Sequence, residues 1–240
     1  MTRARWRLAA ACAAAALTTS CSIHASGVGI IVAGPDYPGS SGRSESPDLP
    51  PTESAPATPP PKPLLSEAPT ETHEGKGNAT VELTWPTDVA GFMKFDCPKC
   101  NSNVMVKADG PEGLPINAIG AYHGTTWLNV SRSDDKLHHL EIEANSSWTV
   151  TITDYRGVPV LETGKTYSAH GDQVVRLPAG TTHAKFTSKT RGNTGVWTLS
   201  NEHMELPVNE IGNCEKDLAV SGETYVRVDA YEADWTLTPG

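Results

Sequence analysis

Cys97 and Cys100, in the run Cys97-Pro98-Lys99-Cys100, are the residues whose type and spacing most directly suggest chemistry. A Cys-x-x-Cys thiol of lowered pKa can exchange disulfides, but that chemistry normally has the first cysteine at a helix N-terminus. Here the motif falls in a turn between two expected strands. Four outcomes stay open for it: a local disulfide stapling the turn in an oxidising compartment, pairing of one cysteine with Cys214, thiol–disulfide exchange, and metal binding. Zinc would need a fourth ligand, from a second Cys-x-x-Cys or a His pair, and neither is present. Cys12 and Cys21 belong to the N-terminal leader, so Cys97, Cys100 and Cys214 leave an odd thiol in an exported chain.

Other templates for chemistry fail. Neither Gly-x-Ser-x-Gly nor His-Glu-x-x-His occurs, and the glycine that a phosphate loop ending in Gly164-Lys165-Thr166 requires is replaced by Pro159. His138 and His139 are adjacent on an expected strand, so alternation sends them to opposite faces and they cannot chelate one ion together. His123, His170, His183 and His203 fall in expected loops. No catalytic residue, metal ligand or cofactor is assigned. One aromatic stands apart. If Leu128 and Val130 point inward, Trp127 points outward, with Tyr122 and His123 just upstream. An exposed Trp beside a Tyr on a β-sandwich is a platform for stacking a sugar; the competing reading packs Trp127 against a second domain.

The elements that must position these residues are written twice. Leu140-Glu-Ile142-Glu143-Ala144 followed by Trp148-Thr-Val150-Thr-Ile152 matches Val226-Arg-Val228-Asp229-Ala230 followed by Trp235-Thr-Leu237-Thr-Pro239. Lys94-Phe95 matches Lys185-Phe186, and Ile116-Asn117-Ala-Ile119-Gly120 matches Val208-Asn209-Glu-Ile211-Gly212. Leu128 and Val130 are aligned with Leu218 and Val220, which sets Asp217 opposite Trp127. Alternation of β-branched and aromatic residues, broken by Gly, Asn and Pro every ten or so residues, predicts an all-β fold of two tandem related β-sandwich units, jelly-roll or Ig-like. Each unit is expected to hold five or six short strands. Trp148 and Trp235 share the inward face with their aliphatic neighbours and should anchor the two cores. A copy of about 70 residues is marginal alone, so the two should pack together.

This arrangement resembles a domain of unknown function found in exported proteins of high-GC Gram-positive bacteria. The resemblance rests on a Gly-rich turn, an Asn-x-Ile-Gly segment (Asn117 to Gly120, Asn209 to Gly212) and a final Trp-Thr-Val-like strand. It covers residues 79–240 and implies a fold and a compartment. The chain departs from it in lacking an aromatic after Asn103 and in carrying Cys97 and Cys100 in its first turn.

The N-terminus bears on the compartment as well. Arg3, Arg5 and Arg7 precede an Ala-rich apolar run from Leu8 to Leu17, too short to span a bilayer comfortably, which reads as a signal peptide over 1–21. It ends in Leu17-Thr18-Thr19-Ser20-Cys21, which resembles a bacterial lipobox with Thr18 where Leu is usual and marks Cys21 for lipidation. Secretion without a lipid and an uncleaved anchor are the alternatives. Residues 22–78 read as a disordered Pro/Ser/Thr-rich linker: eleven of the nineteen prolines lie between Gly34 and Gly77, a composition that cannot bury enough apolar surface to fold. The sandwich units are then 79–153 and 171–240, with 154–170 connecting them.

Without residues 1–21 the chain carries 16 Lys and Arg against 28 Asp and Glu, a formal net of −12. No basic stripe for nucleic acid is present. The sequence therefore predicts a non-enzymatic, extracytoplasmic protein held to the cell membrane by a lipid and displaying its sandwiches for binding or an envelope-structural role, its glycan or protein ligand unknown. The alternatives are a carbohydrate or cell-wall module centred on Trp127 and a thiol–disulfide exchange protein using Cys97 and Cys100.

Overall fold

A computed structural model of the chain describes residues 65–131, 134–200 and 203–240. The leader, Cys21 and the linker up to residue 64 lie outside the described residues. The first repeat has eight strands: β1 (Glu71–Lys76), β2 (Ala79–Glu82), β3 (Gly91–Cys97), β4 (Asn103–Ala108), β5 (Ile116–Ile119), β6 (Tyr122–Leu128), β7 (His139–Glu143) and β8 (Ser147–Thr153). The second has the same number: β9 (Tyr167–His170), β10 (Gln173–Arg176), β11 (His183–Lys189), β12 (Asn193–Ser200), β13 (His203–Ile211), β14 (Cys214–Ala219), β15 (Thr224–Asp229) and β16 (Asp234–Pro239).

In the first repeat the sheets run β1-β8-β3-β6 and β2-β7-β4-β5, and in the second β9-β16-β11-β14 and β10-β15-β12-β13. Shifted by eight strands, the two orders are identical. Eight antiparallel strands in two such sheets make a jelly roll, so the protein is a tandem of two jelly rolls. Each repeat has more strands than the five or six expected, and one of the additional strands in each, β1 or β9, lies in the stretch expected to be linker or connector. β1 reads Glu-Thr-His-Glu-Gly-Lys and has no aliphatic residue. It is a strand because it pairs along its whole length with β8, not because of a hydrophobic pattern of its own. The first repeat therefore begins at Glu71 and the second at Tyr167.

Each roll fills its own interior. Met93, Phe95, Val106, Ile142, Trp148 and Val150 belong to one core, and Phe186, Val196, Val226, Val228, Trp235 and Leu237 to the other. The two tryptophans are equivalent to the atom: the Trp148 indole N–H donates to Gly77 O and that of Trp235 to Gly171 O, both at 2.8 Å. Both glycines take left-handed φ, +74° and +73°, which costs a glycine nothing. The next residue caps the same turn in each copy. Asn78 Oδ1 accepts from Ala144 N at 3.1 Å, and Asp172 Oδ1 accepts from Ala230 N at 2.8 Å.

A third buried cluster lies between the rolls. Phe92 and Trp127, on the outer face of the β1-β8-β3-β6 sheet, pack with Val174, Leu199 and Tyr225 from the β10-β15-β12-β13 sheet. Phe92 and Tyr225 stack with centroids 5.4 Å apart. The Arg227 guanidinium lies 5.1 Å from the Trp127 ring and 5.5 Å from that of Trp197, while its Nε and Nη2 donate to the two carboxylate oxygens of Asp229. The segment leading into β1 is fastened at this level too. The buried Asp154 carboxylate accepts from Ala68 N and is gripped by Arg156, which also reaches Glu67. Burial alone would raise the Asp154 pKa, but the bonds from Arg156 and Ala68 outweigh it and hold the carboxyl below its ordinary value.

Candidate functional site

The residues singled out from the sequence do not converge on one site. Cys97 and Cys100 form a disulfide across the turn between β3 and β4, and both cysteines are buried, 0% and 4% exposed. The same turn in the second repeat has Ser188 in place of Cys97, since Phe95 pairs with Val150 as Phe186 pairs with Leu237. That turn is held by hydrogen bonds instead: Asn213 Oδ1 accepts from Thr190 N, and Thr190 Oγ1 from Gly192 N. The disulfide is a staple for which the second copy has a polar substitute. Cys214 is a free, half-buried thiol within 3.3 Å of Ser188 Oγ.

The proposed sugar platform is not there. Alternation places Trp127 on the outer face correctly, but that face is covered by the second jelly roll and Trp127 is 1% exposed. Its counterpart is Ala219, not Asp217: Phe92 pairs with Trp127 as His183 pairs with Ala219. Matching Leu128 to Leu218 shifted the alignment by two residues, because Thr126 occupies the position of Leu218. Tyr122 points into the first core and is also buried, its ring lying back over Gly124, where a Cβ would fall 2.5 Å from the hydroxyl. His123 is exposed and pairs with Asp96. Neither the Trp127 nor the Tyr122 ring is left open for stacking.

The two adjacent histidines also differ from expectation. β7 starts at His139, so His138 precedes the strand and alternation does not separate them. Asp109 Oδ1 accepts from both backbone N–H groups, at 2.8 and 3.0 Å. Its Oδ2 lies 3.3 and 3.1 Å from the two Nδ1 atoms. Burial pushes the Asp109 pKa up, and the two backbone N–H groups and the imidazoles more than reverse it. Among the described residues no group of three His, Cys, Asp or Glu side chains is arranged to hold a metal ion.

What the sequence did not reveal is a cleft of about 830 Å³ at one end of the inter-roll seam. Its walls come from both copies. The β2–β3 loop supplies Asp88 and Ala90, the segment after β6 supplies Asn129 and Val130, and the second roll supplies Leu199 and Met204. Asn129 holds a left-handed φ of +56°, and the Glu112 carboxylate accepts from its N–H and from that of Val130, at 2.9 and 3.1 Å. These bonds fix the wall. Polar side chains, among them Asp88, Asp134 and Lys136, line the hollow together with Ala90, Val130, Leu199 and Met204, so it is more polar than the usual small-molecule pocket, although a junction between domains is a common place for a binding site. It was invisible in sequence because Ala90, Val130 and Leu199 come together only once the rolls dock.

No family model and no curated protein sequence matches the chain. Solved structures overlap it loosely. The CUB1-EGF-CUB2 domain of human MASP-1/3 covers 71% of this chain and 99% of its own, at 6% identity and a TM-score of 0.24. YhaK from Escherichia coli covers 71% of this chain and 83% of its own, at 7% identity and a TM-score of 0.23. A regulatory subunit of a cAMP-independent protein kinase A from Trypanosoma brucei covers 71% of this chain and 74% of its own, at 6% identity and a TM-score of 0.23. Overlaps of this quality carry no argument about function. The class rests on the strand order alone: an all-β tandem of jelly rolls with a stapled turn and a closed seam.

Proposed function

We propose that the protein is a non-enzymatic, lipid-anchored surface protein that presents its two jelly rolls for binding, with the cleft at the seam as the binding site. The observation that carries the reading is the placement of open space. Both roll interiors are packed by Phe, Trp and aliphatic side chains, whereas the hollow of about 830 Å³ lies where both copies contribute walls. The lipobox-like sequence ending in Cys21 and the proline-rich stretch after it support tethering at a distance from a membrane. Thiol–disulfide exchange is not favoured, because neither sulfur of the Cys97–Cys100 pair is open to attack.

One fractionation experiment tests both halves of the proposal. Cells making the wild-type chain, Cys21→Ala or Ala90→Trp are separated into membrane, wall and soluble fractions, and bound partners are trapped by cross-linking. Cys21→Ala should move the protein out of the membrane fraction and remove the acyl mass. Ala90→Trp, which fills the cleft, should remain anchored and lose the cross-linked partner. An unchanged membrane share for Cys21→Ala contradicts the anchor, and an unchanged set of cross-links for Ala90→Trp contradicts the cleft.

A further inference from the structure

We infer that Asp172 is a proton-operated latch between the two jelly rolls. The turn between β9 and β10 needs only an acceptor for the N–H of Ala230, and the first copy fills the same role with a neutral amide, Asn78. The second copy places a carboxyl there, and it does more than cap the turn. Asp172 Oδ2 accepts from the Tyr122 hydroxyl of the first roll at 2.7 Å, and the Asp172 carbonyl accepts from Thr125 N, also of the first roll, at 3.0 Å. Tyr122 in turn stacks on Tyr231 of the second roll, with centroids 6.3 Å apart. Side chain and backbone of one residue thus tie β6 to the second repeat. Asn78 is exposed and touches neither.

The charged and titratable groups facing Asp172 are Tyr122 from β6, Asp229 and Arg227 from β15, and Tyr231 in the turn that follows. His123 and His170 lie next to this junction with their own partners, Asp96 and Asp234. Burial raises the Asp172 pKa, Asp229 adds to that, and the bonds from Tyr122 and Ala230 together with Arg227 only partly oppose it. Burial and the Asp172 charge likewise push the Tyr122 hydroxyl far up, so it stays a donor. A carboxyl whose folded pKa is raised binds its proton more tightly when folded than when unfolded. Its stabilising contribution is present at low pH and fades as pH rises from the unfolded value of about 4 through the folded one. The seam is therefore tightest in acid.

The test compares the full chain with Asp172→Asn, which keeps the acceptor for Ala230 as Asn78 does for Ala144. Melting temperature and exchange of the Thr125 amide are followed from pH 4 to pH 8. Relative to wild type, Asp172→Asn should lose part of the fall in melting temperature above about pH 4. At pH 7 its Thr125 amide should exchange more slowly, by about threefold or more, and the two proteins should converge at pH 4. Parallel pH profiles, or faster exchange in the variant at every pH, overturn the latch and leave a plain structural contact. Should Asp172→Asn fail to fold, Tyr122→Phe decides. It keeps both ring contacts but removes the donor to the carboxylate, so it should steepen the fall, and an unchanged slope overturns the inference. Asn78→Asp, at the exposed equivalent, should leave the profile as in wild type.

Discussion

The β1-β8-β3-β6 sheet and its counterpart β9-β16-β11-β14 share strand order and register, yet one outer face is buried and the other meets solvent. Where the buried face carries Phe92 and Trp127, the free one carries His183 and Ala219. The opposing pair of sheets repeats the contrast. Trp197, Leu199, Tyr225 and Arg227 line the seam at positions that in the first repeat hold Lys107, Asp109, His139 and Glu141. Backbone geometry does not decide which face is covered, since both copies have the same one. Side chains decide it, at a handful of matched positions. The contact is also heterologous: one type of sheet packs on the other, leaving a complementary pair free at the two ends of the tandem. Such an arrangement can propagate without closing. Polar residues on both free faces remove the apolar surface that a third roll would need.

The largest effect that could break this contrast is at Trp127. Trp127→Ala should cost about 3–5 kcal/mol, as expected for an aromatic in a packed core, and lower the urea midpoint accordingly. A loss under about 1 kcal/mol would mean that the seam is not a true core. The disulfide should matter less. By the chain-entropy estimate, closing so short a loop stabilises by about 2 kcal/mol. Replacing both Cys97 and Cys100 with Ser should therefore shift the midpoint by that much or less and leave the fold intact, because the second copy closes the same turn without a disulfide. Collapse of the first repeat in that variant would show the staple to be indispensable.

The sequence makes the fold more legible than the site, for a physical reason. Period-2 alternation exposes which residues face a core, so Trp148, Trp235 and their aliphatic neighbours are readable, and the duplication doubles the signal. Strands with no apolar residues of their own, such as β1, carry no such pattern and exist through pairing alone. Alternation also gives the face of Trp127 but not what covers that face, which depends on a contact between distant segments. Proximity in the chain makes the Cys97–Cys100 disulfide one of the readings open in sequence, and the tight turn between β3 and β4 selects it. The Asp109 cluster with His138 and His139 has no such signal, because it turns on one residue of strand register. The cleft and the Asp172 latch bring together residues tens of positions apart, none of them unusual alone.

Exchanging the residues at one matched position tests most directly whether the seam is a dedicated interface written over a shared backbone. Phe92→His and His183→Phe each install the residue that the other copy tolerates, and both are followed by urea denaturation of the full chain. Phe92→His should destabilise by about 2–4 kcal/mol, because it removes a buried ring stacked on Tyr225 and leaves a polar one in its place. His183→Phe should stay within about 0.5 kcal/mol of wild type, as an exposed substitution does. Equal losses from the two variants, or none from Phe92→His, would contradict it.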